Sequence, residues 1–260
     1  MTGVLYVGTA EPYFDHAISS LESLQETNDV PASILTTPAL AADLDTSAFD
    51  QILTIDGPYD DVRDKIYNLH RSPYEKTLYL DGDTVVLDDI TPVFDLLDRV
   101  ELAAAHAIGK ERITIPGVPD AFPELSTAVL AYRLTDQVES MLASWEQLHR
   151  EQLEHGRPKG EVPVEDGSSL EEITRFGTLH GQPPFREALY DSDVSLSILP
   201  PEYNYGHTGR GYAYHRVKIV HGYRCSELAP VINDYPYNRV LVGDKLYFPG
   251  ESEFVPLQEL

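Results

Sequence analysis

Short apolar runs alternate with helix-like segments through the first ninety residues of the chain. The runs GVLYVGT, ASILTT, QILTI and TLYL have the length and residue content of buried strands. Between the first two, apolar residues recur at the spacing of one helix face, namely Phe14, Ile18, Leu21 and Leu24. Strands that alternate with helices are typical of a mostly parallel sheet flanked by helices, with ligands bound at one edge. The pattern therefore predicts an α/β fold.

The second half of the chain is less regular. ELAAAHAI, STAVLAYR, SLSIL and VKIVHG are predicted strands, and PFREALYDS is compatible with a helix. A longer amphipathic helix is indicated by apolar residues on one face, Val138, Met141, Leu142, Trp145 and Leu148. Two polar stretches that contain proline, residues 38–50 and 154–168, are predicted to be loops. The chain has no internal repeat.

Two carboxylates follow the strand TLYL, in Asp81-Gly82-Asp83. In an open α/β sheet, ligands bind beyond the carboxyl ends of the strands, and Gly82 lets the backbone turn there without a side-chain clash. Carboxylate oxygens suit Mg²⁺ or Mn²⁺, and such ions commonly bridge to substrate phosphates. A metal site that holds a diphosphate is therefore favoured. The alternative is a hairpin turn with solvated aspartates, because Asp-Gly is a frequent hairpin pair.

The chain is strongly acidic. Its 260 residues include 43 Asp and Glu against 19 Lys and Arg, a formal net charge of −24. Such a charge repels nucleic acid and anionic membranes, and it makes a phosphate ligand difficult to hold without a cation. Lysine occurs at only six positions. Abundant acids with scarce lysine favour a protein of a salt-accumulating halophile, such as a haloarchaeon, over an ordinary acidic cytosolic protein.

The start of the chain and its apolar runs carry no targeting signal. The sequence opens on a predicted strand without a basic leader, and no apolar run approaches the length of a membrane span. We therefore expect a cytoplasmic protein with no transmembrane segment. The single Cys225 excludes an internal disulfide and is compatible with a reducing compartment.

Two residues far from the Asp-Gly-Asp segment are further candidates for the site. His221 ends the strand VKIV as Asp81 ends TLYL, so its imidazole could be a third metal ligand. A histidine at a strand end is also commonly structural. Lys65 lies on the predicted helix before the strand TLYL, from which its ammonium could reach a donor phosphate or sugar. The alternative for Lys65 is a solvated helix lysine.

The order of these motifs resembles that of a known family. The resemblance rests on Gly8-Thr9 with Tyr13 near the start, and then on KIYNL, SPYEKTLYLDGDTVVLDDITPVFDLLD, STAVLAYR, GQPPFREAL, LPPEYNY and VKIVHG. This order is similar to that of the family 8 glycosyltransferases and their glycogenin-like relatives, over roughly residues 3–224. A lone Asp-x-Asp is a weak signal, whereas the ordered set is specific.

The resemblance implies a fold and an activity. The fold is a single Rossmann-like GT-A domain over residues 1–260, with a nucleotide-binding half (1–90), an acceptor-side half (91–225) and a C-terminal extension (226–260). The activity is metal-dependent transfer of a sugar from a nucleotide-diphosphate sugar, a UDP-sugar, with retention. The acceptor is left open among a glycan, a lipid-linked molecule and a small molecule, and so is the oligomeric state.

The resemblance also implies roles for individual residues. The family's metal ligands fall on Asp81, Asp83 and His221, which would hold Mn²⁺ or Mg²⁺ and through it the diphosphate. Tyr13 corresponds to the residue that lies on the uracil. Gln182 corresponds to a glutamine near the transferred sugar, and it is the implied catalytic residue together with Lys65. The implied donor-binding residues are Gly8, Thr9, Tyr13, Lys65, Asp81, Gly82 and Asp83.

Three positions depart from the family pattern. The Asn-x-Gly of the acceptor-side strand is Ser126-Thr127-Ala128, and the Asp that precedes Gln182 is Gly181. The lysine after the last histidine is absent, although Arg224 could supply its charge. Without the family's Asp, transfer is slower, uses another carboxylate or does not occur. The candidate carboxylates are Glu124, Glu187, Asp191 and Asp193.

Two other functions are compatible with the sequence. The first is a GT-A module that binds a nucleotide sugar without transferring it, since part of the family pattern is lost. The second is a haloacid-dehalogenase-like phosphatase, in which LYLDGDTVV would supply Asp81 as nucleophile and Asp83 as acid or base, with Asp244 in a late metal motif. In such phosphatases the first motif normally lies near the N-terminus, which disfavours the second alternative.

Overall fold

The computed structural model describes residues 1–43, 46–107, 114–156, 181–206, 209–222, 225–234, 238–248 and 254–257. Strands and helices alternate in its first part, as β1 (Thr2–Val7), α1 (Glu11–Thr27), β2 (Ala32–Thr36), α2 (Pro38–Asp43), β3 (Gln51–Thr54), α3 (Val62–Asn68) and β4 (Lys76–Leu80). The elements that follow are β5 (Thr84–Val86), α4 (Pro92–Leu96), β6 (Leu102–His106), β7 (Leu125–Arg133), α5 (Asp136–His155), α6 (Gln182–Tyr190), β8 (Leu196–Leu199), β9 (Arg210–Ala213), β10 (Ile219–His221), α7 (Cys225–Leu228), β11 (Arg239–Val242), β12 (Lys245–Tyr247) and β13 (Phe254–Pro256).

Helix ends are set by local capping. The side chain of Asp61 accepts a hydrogen bond of 2.9 Å from the backbone N–H of Arg63, which starts α3. Thr135 caps α5 in the same way, and that helix ends at Gly156, whose φ of 70° is left-handed. Both helices contribute to one apolar cluster, through Ile66 and Trp145.

A seven-stranded sheet forms the centre of the fold, in the order β3-β2-β1-β4-β7-β6-β8. Strands β1 to β4 pair in parallel, and β6 and β8 also pair in parallel. Strand β7 runs antiparallel to both of its neighbours, β4 and β6. The carboxyl ends of β1 and β4 therefore meet at the edge of the sheet where β7 begins.

The two faces of the sheet are covered by separate apolar cores. On one face, α1 and α4 contribute Phe14, Leu21 and Phe94 to a cluster with residues of β1, β4 and β7. On the other face, α3, α5 and α6 contribute Ile66, Trp145 and Phe185, among others. Because both faces are buried, the central strands are apolar throughout and lack the alternation of a half-exposed sheet.

Two smaller sheets are formed by the last part of the chain. Strand β10 pairs antiparallel with β5, the strand that follows Asp81-Gly82-Asp83. A four-stranded sheet in the order β13-β12-β11-β9 contains the hairpin β11–β12 and encloses a third apolar cluster around Tyr205, Val220 and Leu246. Strand β11, within the predicted C-terminal extension, pairs antiparallel with β9 at residues 210–213.

Each predicted strand and helix is present, but the structure also contains elements that were not predicted, namely β5, α4, β9, α7 and β11–β13. One stretch predicted to be a loop is partly helical. A short helix, α2, occupies Pro38–Asp43 within the stretch predicted to be a loop. None of its residues is buried, so it carries no apolar periodicity by which it could be predicted. Most of the loop predicted over 154–168 lies outside the described residues. Within the described ranges, no helix combines the length and apolar content needed to cross a bilayer.

Candidate functional site

The ends of β1 and β4 frame a cavity at the carboxyl edge of the sheet. Because these strands are parallel neighbours, the segment after Val7 lies beside the segment after Leu80. The cavity has a volume of about 330 Å³. It is lined by Val7, Thr9, Tyr13, His16, Asp61, Val62, Lys65, Tyr79, Asp81, Gly82 and Asp83. Six of the seven predicted donor-binding residues are among them, which places those six around one space.

Two glycines allow α1 to approach this edge closely. A Cβ added to Gly82 would lie 2.9 Å from the backbone nitrogen of Ala17, and one added to Gly8 would lie 2.9 Å from the Cα of Phe14. Since the obstructing atoms belong to the backbone of α1, no side-chain movement could relieve these contacts. Gly8 is buried behind Thr9 and does not line the cavity, so it shapes the site without facing a ligand.

Asp81 is fixed by three elements. Its backbone N–H donates to the carbonyl oxygen of Ala128 on β7, at 2.8 Å. The ammonium of Lys65, on α3, lies 2.7 and 2.9 Å from its two carboxylate oxygens. The hydroxyl of Tyr79 also donates to Asp81 Oδ1. Burial, and next the charge of Asp81, raise the pKa of Tyr79 well above its usual value, so the hydroxyl keeps its proton and remains a donor.

Asp83 meets His221 because β10 pairs with β5. His221 lies opposite Thr84 in this pairing, and the backbone N–H of Gly222 donates to the carbonyl oxygen of Asp83 at 2.9 Å. His221 Nε2 is then 3.4 Å from Asp83 Oδ1. Burial by itself raises the pKa of Asp83, but the hydrogen bond and charge of His221, with the charge of Lys65, outweigh it and lower that pKa to about 2. Asp83 is therefore ionised at neutral pH.

Asn204 holds the other nitrogen of the His221 ring. Its Oδ1 lies 2.8 Å from His221 Nδ1 in a buried contact. An amide oxygen only accepts hydrogen bonds, so Nδ1 carries a hydrogen, and Nε2 is the ring nitrogen that faces Asp83. Histidines that bind metals are commonly oriented in this way by a partner on the second nitrogen.

Asp81, Asp83 and His221 form a possible metal site. One ligand atom of each can be chosen so that all three lie within 4.8 Å of one another, and no other such group occurs among the described residues. Two carboxylates with one imidazole are a donor set that Mn²⁺ accepts, and the carboxylates alone suit Mg²⁺. The residues present therefore fit a divalent cation at the cavity.

Thr9 and Tyr13 form another part of the cavity wall. The hydroxyl of Thr9 donates to Asp64 Oδ2 at 2.6 Å, and the same carboxylate accepts hydrogen bonds from the backbone N–H groups of Tyr59 and Asp60. Asp64 thus fixes the loop before α3 against the end of β1. The ring of Tyr13, on the first turn of α1, lines the cavity and is 49% exposed. An exposed aromatic face of this kind can stack on a nucleobase.

No protein-family model and no curated protein matches the chain. Among solved structures, the glycosyltransferase GlyE of Streptococcus pneumoniae TIGR4 matches 78% of this chain and 47% of its own, with 20% identity and a TM-score of 0.52. The galactosyltransferase LgtC, solved with donor and acceptor sugar analogs, matches 85% of this chain and 86% of its own, with 15% identity and a TM-score of 0.53. Mouse xyloside xylosyltransferase 1 in its apo form matches 87% and 99%, with 15% identity and a TM-score of 0.50.

The chain has the GT-A fold. The predicted α/β fold, with a mostly parallel sheet flanked by helices, is thereby confirmed. The chain spans about half the length of GlyE. A shared fold hosts more than one activity, so the activity depends on the residues at the site.

Gly181 and Gln182 lie at the start of α6, behind α3. A Cβ added to Gly181 would lie 2.6 Å from Ile66 Cδ1 and 3.2 Å from a ring carbon of Trp145. The carbonyl oxygen of Gly181 accepts a hydrogen bond of 2.7 Å from the indole nitrogen of Trp145. A side chain at position 181, where the resemblance predicts an Asp, would therefore require Ile66 to move. Gln182 is buried and is not among the described residues that line the cavity.

The carboxylates considered as substitutes for that Asp differ in their surroundings. Glu187, on α6, and Glu124, just before β7, are buried. Asp191 and Asp193 are exposed beyond the other end of α6 from Gly181, which disfavours both. Arg224 lies outside the described residues.

Six residues of the site were not predicted from the sequence. Val7, His16, Asp61, Val62 and Tyr79 line the cavity, and Asn204 contacts His221. His16 follows Tyr13 by three positions on α1, a spacing that puts both on one helix face. Tyr79 precedes Asp81 by two positions at the end of a strand, so both side chains leave the same side. Nothing in the sequence pairs Asn204 with His221.

Proposed function

We propose that the chain is a metal-dependent glycosyltransferase that moves a sugar from a nucleotide-diphosphate sugar, a UDP-sugar, to an acceptor with retention of configuration. The observation that carries this proposal is the position of Asp81, Asp83 and His221. Their ligand atoms lie within 4.8 Å of one another, beside a cavity that is also lined by the exposed ring of Tyr13. A cation and a stacking surface at one cavity suit a nucleoside diphosphate.

Different residues of the cavity would bind different parts of the donor. Tyr13 would stack on the base, with Thr9 beside it. Asp81 and Asp83 with His221 would hold Mn²⁺ or Mg²⁺, which neutralises negative charge on the departing diphosphate when it is bound. Lys65 would add a fixed positive charge next to the diphosphate, which a chain of net charge −24 otherwise repels.

The reacting sugar would lie beyond the carboxylates, towards β7 and α6. The carbonyl oxygen of Thr127, on β7, accepts a hydrogen bond of 3.3 Å from the ammonium of Lys65. The strand predicted to face the acceptor thus contacts the lysine that is proposed to bind the donor. Positioning by these groups supplies most of the rate in such a transfer. We assign Gln182 the role of orienting the sugar, and Glu124 and Glu187 are the buried carboxylates able to replace the missing acid.

Gly181 favours a second candidate function. The acid of the family pattern is absent, because residue 181 is glycine, and any side chain there would require Ile66 to move. A GT-A module that binds a nucleotide sugar without transferring it would have this property. The phosphatase alternative has less support, because Asp244 is exposed in the turn between β11 and β12 and lies outside the Asp81, Asp83 and His221 group.

A panel of nucleotide sugars tests the proposal. The purified chain is incubated with each donor in high salt, with Mn²⁺ or with a chelator, and released UDP is measured. We expect Mn²⁺-dependent release from at least one UDP-sugar, lost in Asp83→Ala and retained in the matched control Asp244→Ala. UDP that protects the chain from thermal unfolding without any turnover would support the binding module instead. Phosphate release with a trapped phosphoaspartate would support the phosphatase.

The wider setting of the activity is also part of the proposal. Residues 1–260 would form one domain, related to family 8 glycosyltransferases, with residues 226–260 as its extension. Excess negative charge with few lysines supports a cytoplasmic protein of a halophile, and the same charge argues against nucleic acid as a partner. The acceptor would be a glycan, a lipid-linked molecule or a small molecule.

A further inference from the structure

His16 is a polar cavity-lining side chain to which the proposed donor site gives no role. Apart from Tyr13, whose ring would stack on the base, the other charged or hydroxyl residues that line the cavity already have partners. Lys65 and Tyr79 bond to Asp81, Thr9 bonds to Asp64, and Asp61 pairs with Arg63 at 2.6 Å. The imidazole of His16 is exposed and makes no hydrogen bond or ion pair within the described part of the chain.

The position of His16 lies between the two ends of the donor site. It is one turn after Tyr13 on the same face of α1, which corresponds to about 4.5 Å along the helix axis. On the other side, a Cβ added to Gly82 would lie 3.0 Å from the Cβ of His16. The His16 side chain therefore leaves the helix beside the middle residue of Asp81-Gly82-Asp83, with the proposed base site on its other side.

A nucleoside diphosphate has its ribose between the base and the phosphates. If the base stacks on Tyr13 and the diphosphate lies at Asp81 and Asp83, the ribose must pass beside His16. A ribose hydroxyl both donates and accepts hydrogen bonds, so it can pair with a neutral imidazole in either tautomer. We propose that His16 binds the ribose 2′- or 3′-hydroxyl of the donor and is a further specificity residue, an inference that rests on the proposed function.

The proposal is tested by pairing a protein substitution with the removal of a ligand hydroxyl. Binding of UDP, 2′-deoxy-UDP and 3′-deoxy-UDP is measured by calorimetry in the presence of Mn²⁺, for the wild type and for His16→Ala. Loss of one hydrogen bond is expected to weaken UDP binding about three- to tenfold. The same substitution should leave the affinity for one of the two deoxy analogues unchanged, because the contact is already absent there.

Two further variants test whether the change in affinity is due to the hydrogen-bonding group of His16. His16→Gln retains a hydrogen-bonding group and is expected to recover part of the affinity for UDP. His70→Ala removes another exposed histidine, located before the start of β4 and thus away from the carboxyl edge, and it should bind all three ligands as the wild type does. Alanine is a strong helix former, so α1 should persist in His16→Ala, as an unchanged unfolding temperature would verify.

The outcomes separate this inference from the proposed function. An equal loss of affinity for UDP and for both deoxy analogues would overturn the ribose contact, and so would an unchanged affinity for UDP. Either result leaves the donor site itself in place. A wild type that binds no UDP in the presence of Mn²⁺ would overturn the proposed function and the ribose contact together.

Discussion

The ammonium of Lys65 contacts both carboxylate oxygens of Asp81, at 2.7 and 2.9 Å. The Lys65 side chain is only 9% exposed and that of Asp81 is 25% exposed, so the pair is screened from solvent on most sides. Asp83 has a separate partner in His221. The two carboxylates of the Asp-Gly-Asp segment are thus held by different cationic or polar groups from different parts of the chain.

Lys65→Met is expected to change metal binding and nucleotide binding in opposite directions. Removing a positive charge beside Asp81 should strengthen Mn²⁺ binding in the absence of nucleotide by roughly tenfold, which is about 1.4 kcal/mol. It should weaken UDP binding by a similar factor, because a fixed cation next to the diphosphate is lost. Calorimetric titrations of each ligand measure both effects.

The matched control for this substitution is Lys76→Met. Lys76 starts the same strand that Asp81 follows, and its ammonium pairs with Asp98 at 2.6 Å, away from the cavity. Both affinities should remain those of the wild type. A parallel decrease in Mn²⁺ and UDP affinity in Lys65→Met would contradict the expected division of roles between Lys65 and the metal ligands.

Gly181→Ala is expected to destabilise the fold through a contact with Ile66. The added methyl carbon would lie 2.6 Å from Ile66 Cδ1, and overpacking of this kind typically lowers the free energy of unfolding by about 1–3 kcal/mol. Ile66→Val removes that Cδ1, so the double variant should lose less stability than the sum of the two single losses. Thermal or denaturant unfolding measures the difference.

Gly156→Ala serves as the control for this coupling. Gly156 has a φ of +70° with no heavy atom within 4 Å of an added Cβ, so the cost of its substitution is conformational. The double variant Gly156→Ala with Ile66→Val should therefore lose as much stability as the two single variants together. Additive losses for Gly181→Ala with Ile66→Val would show that the crowding at Gly181 has another source.

Asn204→Ala is expected to weaken metal binding without removing a ligand. Loss of the acceptor on Nδ1 leaves the His221 ring free to turn and to change tautomer, and such changes typically lower metal affinity about 10- to 100-fold. Mn²⁺ titration measures the affinity, and Asn204→Asp, which keeps an acceptor, should retain it. Asn233→Ala should reduce stability alone, since Asn233 bonds to the backbone of Val217.

Salt is expected to stabilise the chain. A net charge of −24 is self-repulsive, and the screening length falls from about 10 Å at 0.1 M salt to about 3 Å at 1 M. We expect the unfolding temperature to rise by roughly 4 to 8 °C over this range of KCl, equivalent to about 2 kcal/mol. A flat or falling unfolding temperature would contradict an adaptation to high salt.

Much of the fold follows from local sequence patterns. The strands β1, β2 and β4 are apolar runs bounded by polar or glycine-containing segments, and α5 has a clear apolar face, so their type and position were predicted. The antiparallel direction of β7 was not, because STAVLAYR is apolar on both faces, as a buried strand is in either direction. Strand direction is determined by the chain connections and by pairing with distant strands.

The grouping of residues around the cavity could be predicted where they are adjacent along the chain and where their order resembles the family 8 pattern. Asp81, Gly82 and Asp83 are adjacent, and the remaining donor residues follow that order. The role of Gly181 depends on packing against Ile66 and Trp145, which come from two other helices. Such a contact between three separate elements leaves no trace in local spacing. The contact between Asn204 and His221 also joins distant parts of the chain and could not be predicted from local spacing.

The pairing of β10 with β5 has a consequence for the order of folding. The strands that carry Asp81 and Asp83 belong to the first third of the chain, whereas β10 comes from its last fifth. Contacts between such distant segments form late, because closing the long intervening loop costs entropy before other contacts stabilise it. A chain that has folded only its first sheet would present two carboxylates without the imidazole. High-affinity metal binding would therefore mark the completed chain and distinguish it from its folding intermediates.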